Sequence, residues 1–551
     1  MAPADARGGG MSGLLALNGP AEFLLELRSA ATGAAVDPPP WGMAGGLPLA
    51  ARPEEMPVPE ANSALLRLSR WGWIGEPGDT AAPNTAYPAR LTAPPSLSWA
   101  LPILPENDRR GTATAGTVTL DNADGGLSII GGDWSMAGRT ALLRRGPYRS
   151  PLRADSAAFA TVAALRVGSA AMGTDSLTVE LISAAADLAV PVCGTYAGTG
   201  GAEGDATLKG QNRPLLLGIG RNIEPVLVLA AKLLYQVSAQ ALYAVTQVRD
   251  KGAVLTIGSN YATAADLLAA TVGAGTVATC LAAGMIRLGS TPQGPLTLDA
   301  QSAADSNHGG IALALLRGPG GLAEDRLVAS AFTALPAGPA GFLFPDGTVA
   351  DALNRVLASC AGWWGTDRQG RLTAGRLAVP EQTQPAFRLE RWMLDEAADR
   401  TGRAIQEVAG SVPRYGARVK YGMLARTQAA SEVVASAPAY GDAAAMDYLA
   451  KGYKVGASIQ PAIQSQFPTA TSPEPLDSGW ANEADAAAQA AYLVALHGVR
   501  RRFWQVPVGQ WGHQLALGMA VGADHPLLAN RTWIVQALEG EGDLLEATLW
   551  G

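Results

Sequence analysis

Apolar residues recur at every second position in several short runs of this chain, the period of a β-strand whose side chains alternate between two faces. Leu65, Leu66 and Leu68 open one such region; Val118 and Leu120 alternate with Thr117 and Thr119, and Leu177, Val179 and Leu181 alternate with Thr178 and Glu180. Turn-forming clusters separate them, among them Glu106-Asn107-Asp108 and Asp121-Asn122-Ala123-Asp124-Gly125-Gly126. This spacing predicts an antiparallel sandwich or barrel over residues 63–190. The pattern returns near the end of the chain, at Leu515 and Leu517, at Trp533, Val535 and Ala537, and at Leu545, Ala547 and Leu549, with Gly540 and Gly542 marking a turn. Each of these strands is expected to bury one face, and the terminal Leu549-Trp550-Gly551 is expected to be tied into a sheet.

Between these regions the period changes. Pro225-Val226-Leu227-Val228-Leu229 and the run from Tyr243 to Gly252 read as short strands, whereas residues 261–279 have helical spacing through Ala262, Ala265, Leu267 and Leu268. A clearer helix follows Gly347, with Thr348 as N-cap, Asp351 in the first turn, and Val349, Leu353, Val356 and Leu357 on one face. A hairpin comes next, from Trp363-Trp364-Gly365 through the turn Asp367-Arg368-Gln369-Gly370 to Leu372 and Leu377. An Ala-rich helix is predicted from Asn482 to about Gly498, followed by Arg500 to Arg502, where cations suit the helix dipole. The expected organisation is an N-terminal arm, partly Pro-rich, at 1–62; a first β-barrel or sandwich at 63–190; a β-rich middle domain with a helix at 191–345; an α/β segment at 346–433; a long loop at 434–480 with limited helix near 443–449; and a helix with C-terminal strands completing a β domain at 481–551.

Composition agrees with a folded, β-rich, multidomain protein. The 551 residues are 48% hydrophobic and only 16% charged, with 65 glycines and 37 prolines, a mix that suits short strands and many turns. Arginines outnumber lysines by 35 to 6 but are scattered, and the formal net charge is −7. That balance argues against binding DNA by phosphate neutralisation, though it suits a wall past which DNA slides. Cys193, Cys280 and Cys360 are far apart and form no C-x-x-C pair, so buried free thiols are expected rather than a disulfide framework or a zinc site. No run approaches the ~18 apolar residues of a membrane helix. The first residues lack a basic-then-apolar signal layout, so synthesis in a cytoplasm is expected.

Candidate chemistry is sparse. Gly198-Thr199-Gly200-Gly201-Ala202-Glu203-Gly204 invites a phosphate-loop reading, but Glu203 stands where G-x-G-x-x-G needs glycine, and Lys209-Gly210-Gln211 does not complete a Walker pattern. Asp121 to Gly125 departs from the calcium-loop order and reads as a turn. His308, His497, His513 and His525 are dispersed, no G-x-S-x-G is present, and Glu539 with Glu541 reads as a solvated hairpin tip rather than a glycosidase dyad. No catalytic, cofactor-binding or metal-binding residue is assigned, no cofactor is expected, and the chain is not expected to be an enzyme.

Several segments, taken in order, resemble one family. Thr117 to Leu127 resembles the LDN-x-DG-x-L strand and turn of tail proteins from siphophages and phage-like gene transfer agents. Tyr196 to Gly200, Arg213-Pro214-Leu215, Tyr235-Gln236-Val237, Tyr261-Ala262-Thr263 and Ala278 to Ala282 are similar to the middle of such proteins, and Asp351 to Pro380 resembles the helix and small sheet of baseplate hubs. The resemblance covers residues 63–551. It implies two tail-tube-like β-barrel domains with smaller α/β insertions, and a structural virion protein at the tail tip that closes the tube and opens for DNA passage. It further implies a homotrimer with the distal tail protein, tail tube, tape-measure and tail fibre proteins as neighbours, DNA passing through the lumen without specific binding. The alternative is a receptor-binding or glycan-degrading tail spike or fibre protein, which would call for a central run of repeated β-coil rungs; no such period is present.

Overall fold

The structure is a computed structural model and describes residues 21–31, 63–79, 81–104, 108–128, 134–147, 155–183, 188–304 and 306–551. It is β-rich and multidomain, with helices inserted between two large sheets.

The period-two runs become strands with alternate residues buried. Thr112–Asp121 and Ser176–Ile182 pair antiparallel, setting Val118 opposite Val179 and Leu120 opposite Leu177, and all four side chains are buried. From this pair the sheet runs through Ala160–Met172 and Thr140–Pro147 to Ala21–Ala31 and Ser63–Ser69. In the other direction it passes through Ser96–Ala100 directly into the end of the chain: Trp533–Glu541, Leu544–Trp550, Arg502–Pro507 and finally Gln406–Gly410. Trp99 lies opposite Leu538 at the junction.

Two expectations are corrected here. Residues 21–31 do not belong to an arm; they form an interior strand, because Phe23, Leu25 and Leu27 alternate into the first core. The rest of the expected arm, residues 1–20 and 32–62, lies outside the described residues. The C-terminal strands, in turn, do not complete a unit of their own but close the same fourteen-stranded sheet as residues 63–182.

The second sheet has nine strands between residues 215 and 344, ordered from Val226–Leu229 at one edge to Gly341–Phe344 at the other. Helical spacing over 261–279 is realised only in Ala264–Ala269, capped by the Thr263 hydroxyl. Glycines 273 and 275 follow, the latter at φ +73°, and Thr276–Cys280 then pairs parallel with Ala253–Asn260. The helix ends where Ala270 turns to extended backbone, and Ala265, Leu267 and Leu268 of the helical count lie within it.

Between the sheets sits a third core built on the helices His308–Arg317, Val349–Ala358 and Glu483–His497. The sequence signals hold well here. Thr348 and Asp351 form a reciprocal capping box, an arrangement worth roughly 1 kcal/mol, while Asn482 caps Glu483–His497 through Asp485 N. Gly362–Thr366 and Leu372–Arg376 form the expected hairpin. Residues 434–480 are not a long loop. They contain the helix Ala443–Lys451, the strand Lys454–Ile459 paired with Gly416–Tyr421, and the helix Pro461–Gln466. The strand escapes a periodicity count because its centre is Gly456-Ala457-Ser458. Small residues are required there: a Cβ on Gly456 would stand 2.8 Å from Ala487 N in the overlying helix.

The terminal hairpin joins these layers. Its loop is Gly542-Asp543, with Gly542 at φ +58°, the first loop position that a type II′ turn reserves for glycine. Trp533, Val535, Leu545, Ala547 and Leu549 enter the core of the large sheet, while Ile534 and Trp550 enter the central core. The strands therefore bury both faces where one was expected, because the helical layer covers the second. Leu515 and Leu517, expected in a strand, follow the 3-10 helix Gly509–Gln514 outside any strand, Leu515 extended and Leu517 in a turn. Among the described residues no helix is long and apolar enough to cross a membrane.

Deleting residues 544–551 removes one strand from the middle of this sheet and opens two cores. Each large buried side chain lost costs ~1.5–3 kcal/mol, and the sum reaches the ~5–15 kcal/mol that holds a domain folded. The truncated chain is expected in the insoluble fraction after expression; recovery as soluble protein with native circular dichroism would contradict the two-core packing.

Candidate functional site

A cavity of about 630 Å³ lies between the large sheet, the tip of the Gly362–Thr366 hairpin and residues 513–517. Trp99, Trp363, Phe387, Leu517 and Leu538 supply apolar walls. Arg368, in the hairpin turn, borders it. Its guanidinium donates to the carbonyls of Leu515 at 2.8 Å, Gly512 at 3.1 Å and Val162 at 3.4 Å and lies over the Trp99 ring, 5.2 Å from the centroid. Burial draws its pKa down to about 10, and no carboxylate among the described residues pairs with it.

Beside the cavity a second charged group pins the terminal hairpin. Arg145 Nε donates to Asp543 Oδ1 at 2.6 Å and Arg145 Nη2 to Asp543 Oδ2 at 3.0 Å, with the arginine side chain 3% exposed. His513 Nε2 lies 3.0 Å from Gly542 O and 3.2 Å from Asp543 Oδ1. Both partners are acceptors, so Nε2 carries the proton and Nδ1 presents a lone pair, which meets no donor among the described residues. Burial holds His513 neutral with a pKa lowered to about 4. For Asp543 burial alone would raise the pKa; hydrogen bonds from His513 and Arg145 outweigh it and bring it to about 2.

The motifs singled out by sequence are engaged internally. In the glycine-rich turn, Gly198 N, Gly200 N and Glu203 N all donate to carbonyls within residues 200–204, and the Glu203 carboxylate takes Ala197 N and pairs with Arg213; these amides are not turned toward an anion. In the Asp121–Gly126 turn the side-chain oxygens of Asp121, Asn122 and Asp124 accept from Ala123 N, Leu127 N and Gly126 N, and Arg90 also holds Asp124. His308 and Ser359 bond at 2.7 Å, yet both are fully buried, and burial lowers the histidine pKa to about 3. The pair ties the His308–Arg317 helix to Gly479 N, which donates to the same hydroxyl. Glu539 and Glu541 are exposed on the terminal hairpin. All three cysteines are buried free thiols, and no group of three or more metal-ligating side chains occurs among the described residues.

No family model and no curated protein sequence matches this chain. Solved structures to which it is similar include the 43 kDa tail protein of prophage MuSo2 from Shewanella oneidensis, at 10% identity and a TM-score of 0.31 over 85% of this chain and 93% of that one. A chain of the native gene transfer agent virion is similar at 13% identity and a TM-score of 0.38, over 62% of this chain and 84% of that one. A tail protein from Neisseria meningitidis is similar at 9% identity and a TM-score of 0.35, over 85% and 93% respectively.

The cavity and the charged group beside it carry no sequence signal of their own. Arg368 and Leu515 are 147 positions apart, and Arg145 and Asp543 are 398 apart. Only the turn chemistry of Asp367-Arg368-Gln369-Gly370 and Gly542-Asp543 locates these residues at hairpin tips, from which a side chain reaches across layers.

The burial of His513 has a consequence for stability. An unfolded histidine titrates near ~6.5 and the folded one near about 4, so between these values the unfolded state binds more protons. The contribution from neutral His513 is complete above that window and is lost as the pH falls through it. His513→Gln is expected to remove about one proton of uptake on unfolding, roughly 1.4 kcal/mol per pH unit of slope, measured by urea denaturation across the window. An unchanged slope would contradict the assignment.

Proposed function

We propose that this chain is a structural virion protein of the long-tailed phage or gene-transfer-agent kind, a baseplate hub or tail-tip component that closes the tail tube and opens for DNA passage. The observation that carries the reading is an uncovered wing of the second sheet. Ala253–Asn260 links two parts of that sheet, residues 253–255 pairing with Ala244–Asp250 and residues 256–260 with Thr276–Cys280, yet most of its side chains are exposed, Val254 at 48% and Ile257 at 36%. An interior strand normally has at least one face against a core. Apolar side chains left open on it suit an assembly in which another subunit covers them, and the neighbour proposed is the adjacent copy in a homotrimeric ring.

Three further features support the reading. The strand and turn of residues 117–127, which carry the family resemblance, are folded as strand and turn. The amides and carboxylates of the 198–204 and 121–126 turns are used in internal hydrogen bonds, and the reading assigns the chain no catalytic role. A net charge of −7 disfavours adhesion to DNA, as suits a lumen wall with the distal tail, tape-measure and fibre proteins around it. The spike alternative lacks support from topology: among the described strand pairs only Ala253–Asn260 with Thr276–Cys280 and Phe387–Leu389 with Ala520–Ala523 run parallel, whereas stacked β-coil rungs require parallel pairing throughout.

Val254→Glu combined with Ile257→Glu places charge on the wing without touching a core. Native mass spectrometry is expected to give trimers for the unaltered chain and folded monomers for the variant; the same stoichiometry in both would refute the proposed interface. Antibody labelling of purified particles is expected to mark the tail tip, and labelling of the capsid alone, or of no particle, would refute the assignment.

A further inference from the structure

We propose that the cavity beside Arg368 is a binding site for a small aromatic carboxylate, a role separate from assembly. Charge is the first reason. The Arg368 guanidinium is surrounded by main-chain carbonyls and one indole face, so its hydrogen bonds are partly met while its charge is balanced by no carboxylate among the described residues. A cation placed against apolar walls gains most from an anionic partner when water is excluded. Size and wall chemistry give the second reason. About 630 Å³ falls in the range of small-molecule sites, which combine mostly apolar linings with a few convergent polar groups. Trp99, Trp363 and Phe387 offer ring faces and edges to an aromatic body.

The third reason is His513, a residue of the same cavity's lining that is 1% exposed. Its Nε2 is occupied by Gly542 O and Asp543, which leaves Nδ1 as an unmet buried acceptor. The site thus offers a cationic donor and a neutral acceptor in one recess, and the one carboxylate on its wall, Asp367, is already held by Arg371. A carboxylate on Arg368, with a water or a ligand hydroxyl donating to His513 Nδ1, satisfies both. Access comes from the rim, where Ala157, Gln369 and Ala516 are exposed. Neither Arg368 nor His513 belongs to the exposed wing, so the site stands or falls independently of the trimer.

Isothermal titration calorimetry of the unaltered chain with naphthoate, naphthylmethanol and naphthylmethylammonium tests this directly, since the three probes share a ring and differ in charge. Naphthoate is expected to bind about tenfold more tightly than the alcohol, and the ammonium probe more weakly than either. Leu517→Trp, which sets a bulkier ring into the cavity wall, is expected to weaken naphthoate binding, and Arg368→Met to bring it to the level of the alcohol. Equal affinity for the three probes, or naphthoate binding unchanged by Leu517→Trp, would overturn the proposal. Should Arg368→Met fail to fold, the probe series and Leu517→Trp decide without it.

Discussion

The ion pair between Asp543 and Arg145 holds the turn of a hairpin that has no solvent face over most of its length. Strands buried on both sides receive no guidance from alternation alone, so their register must be fixed at the tip and the edges. The bidentate contact with Arg145 ties the Gly542-Asp543 turn to Thr140–Pro147, and pairing with Ser96–Ala100 and Arg502–Pro507 fixes the flanks. A buried ion pair of this kind adds little net stability relative to apolar replacements, but removing one partner strands the other charge at a cost of about 3–5 kcal/mol. The tip contact therefore acts chiefly as a register device. Around it the two cores meet: Leu549 faces one and Trp550 the other.

Strands and helices whose signals are local were legible in the sequence. Val118 with Leu120, Leu177 with Val179, the Thr348 capping box and the Asn482 cap all stand where spacing placed them. What depended on distant layers was not legible. The large sheet joins residues near the start of the chain to its last strand, and no local period reveals that Ser96–Ala100 will pair with Trp533–Glu541. The Lys454–Ile459 strand was hidden for a different reason: its small residues serve close approach to an Ala-rich helix, so they carry no hydrophobic alternation. The cavity around Arg368 was hidden because its polar groups come from hairpin tips joined only by tertiary structure.

The distribution of polar groups separates two parts of the molecule. Inside, histidines and carboxylates hold layers together, as His308 does with Ser359 and Asp543 with Arg145. Outside, the Ala253–Asn260 wing leaves apolar side chains uncovered on a strand whose first half pairs with Ala244–Asp250 and whose second half pairs with Thr276–Cys280.

Hydroxyl-radical footprinting, read by mass spectrometry on the free chain and on assembled particles, tests the central claim most directly. In the free chain Val254 and Ile257 should be oxidised readily, while Leu549 and Trp550 stay protected; in particles the two wing residues should become protected as well. Equal oxidation of Val254 and Ile257 in both states would show that nothing covers the wing, and the account of this protein as an assembly subunit joined through that surface would be wrong.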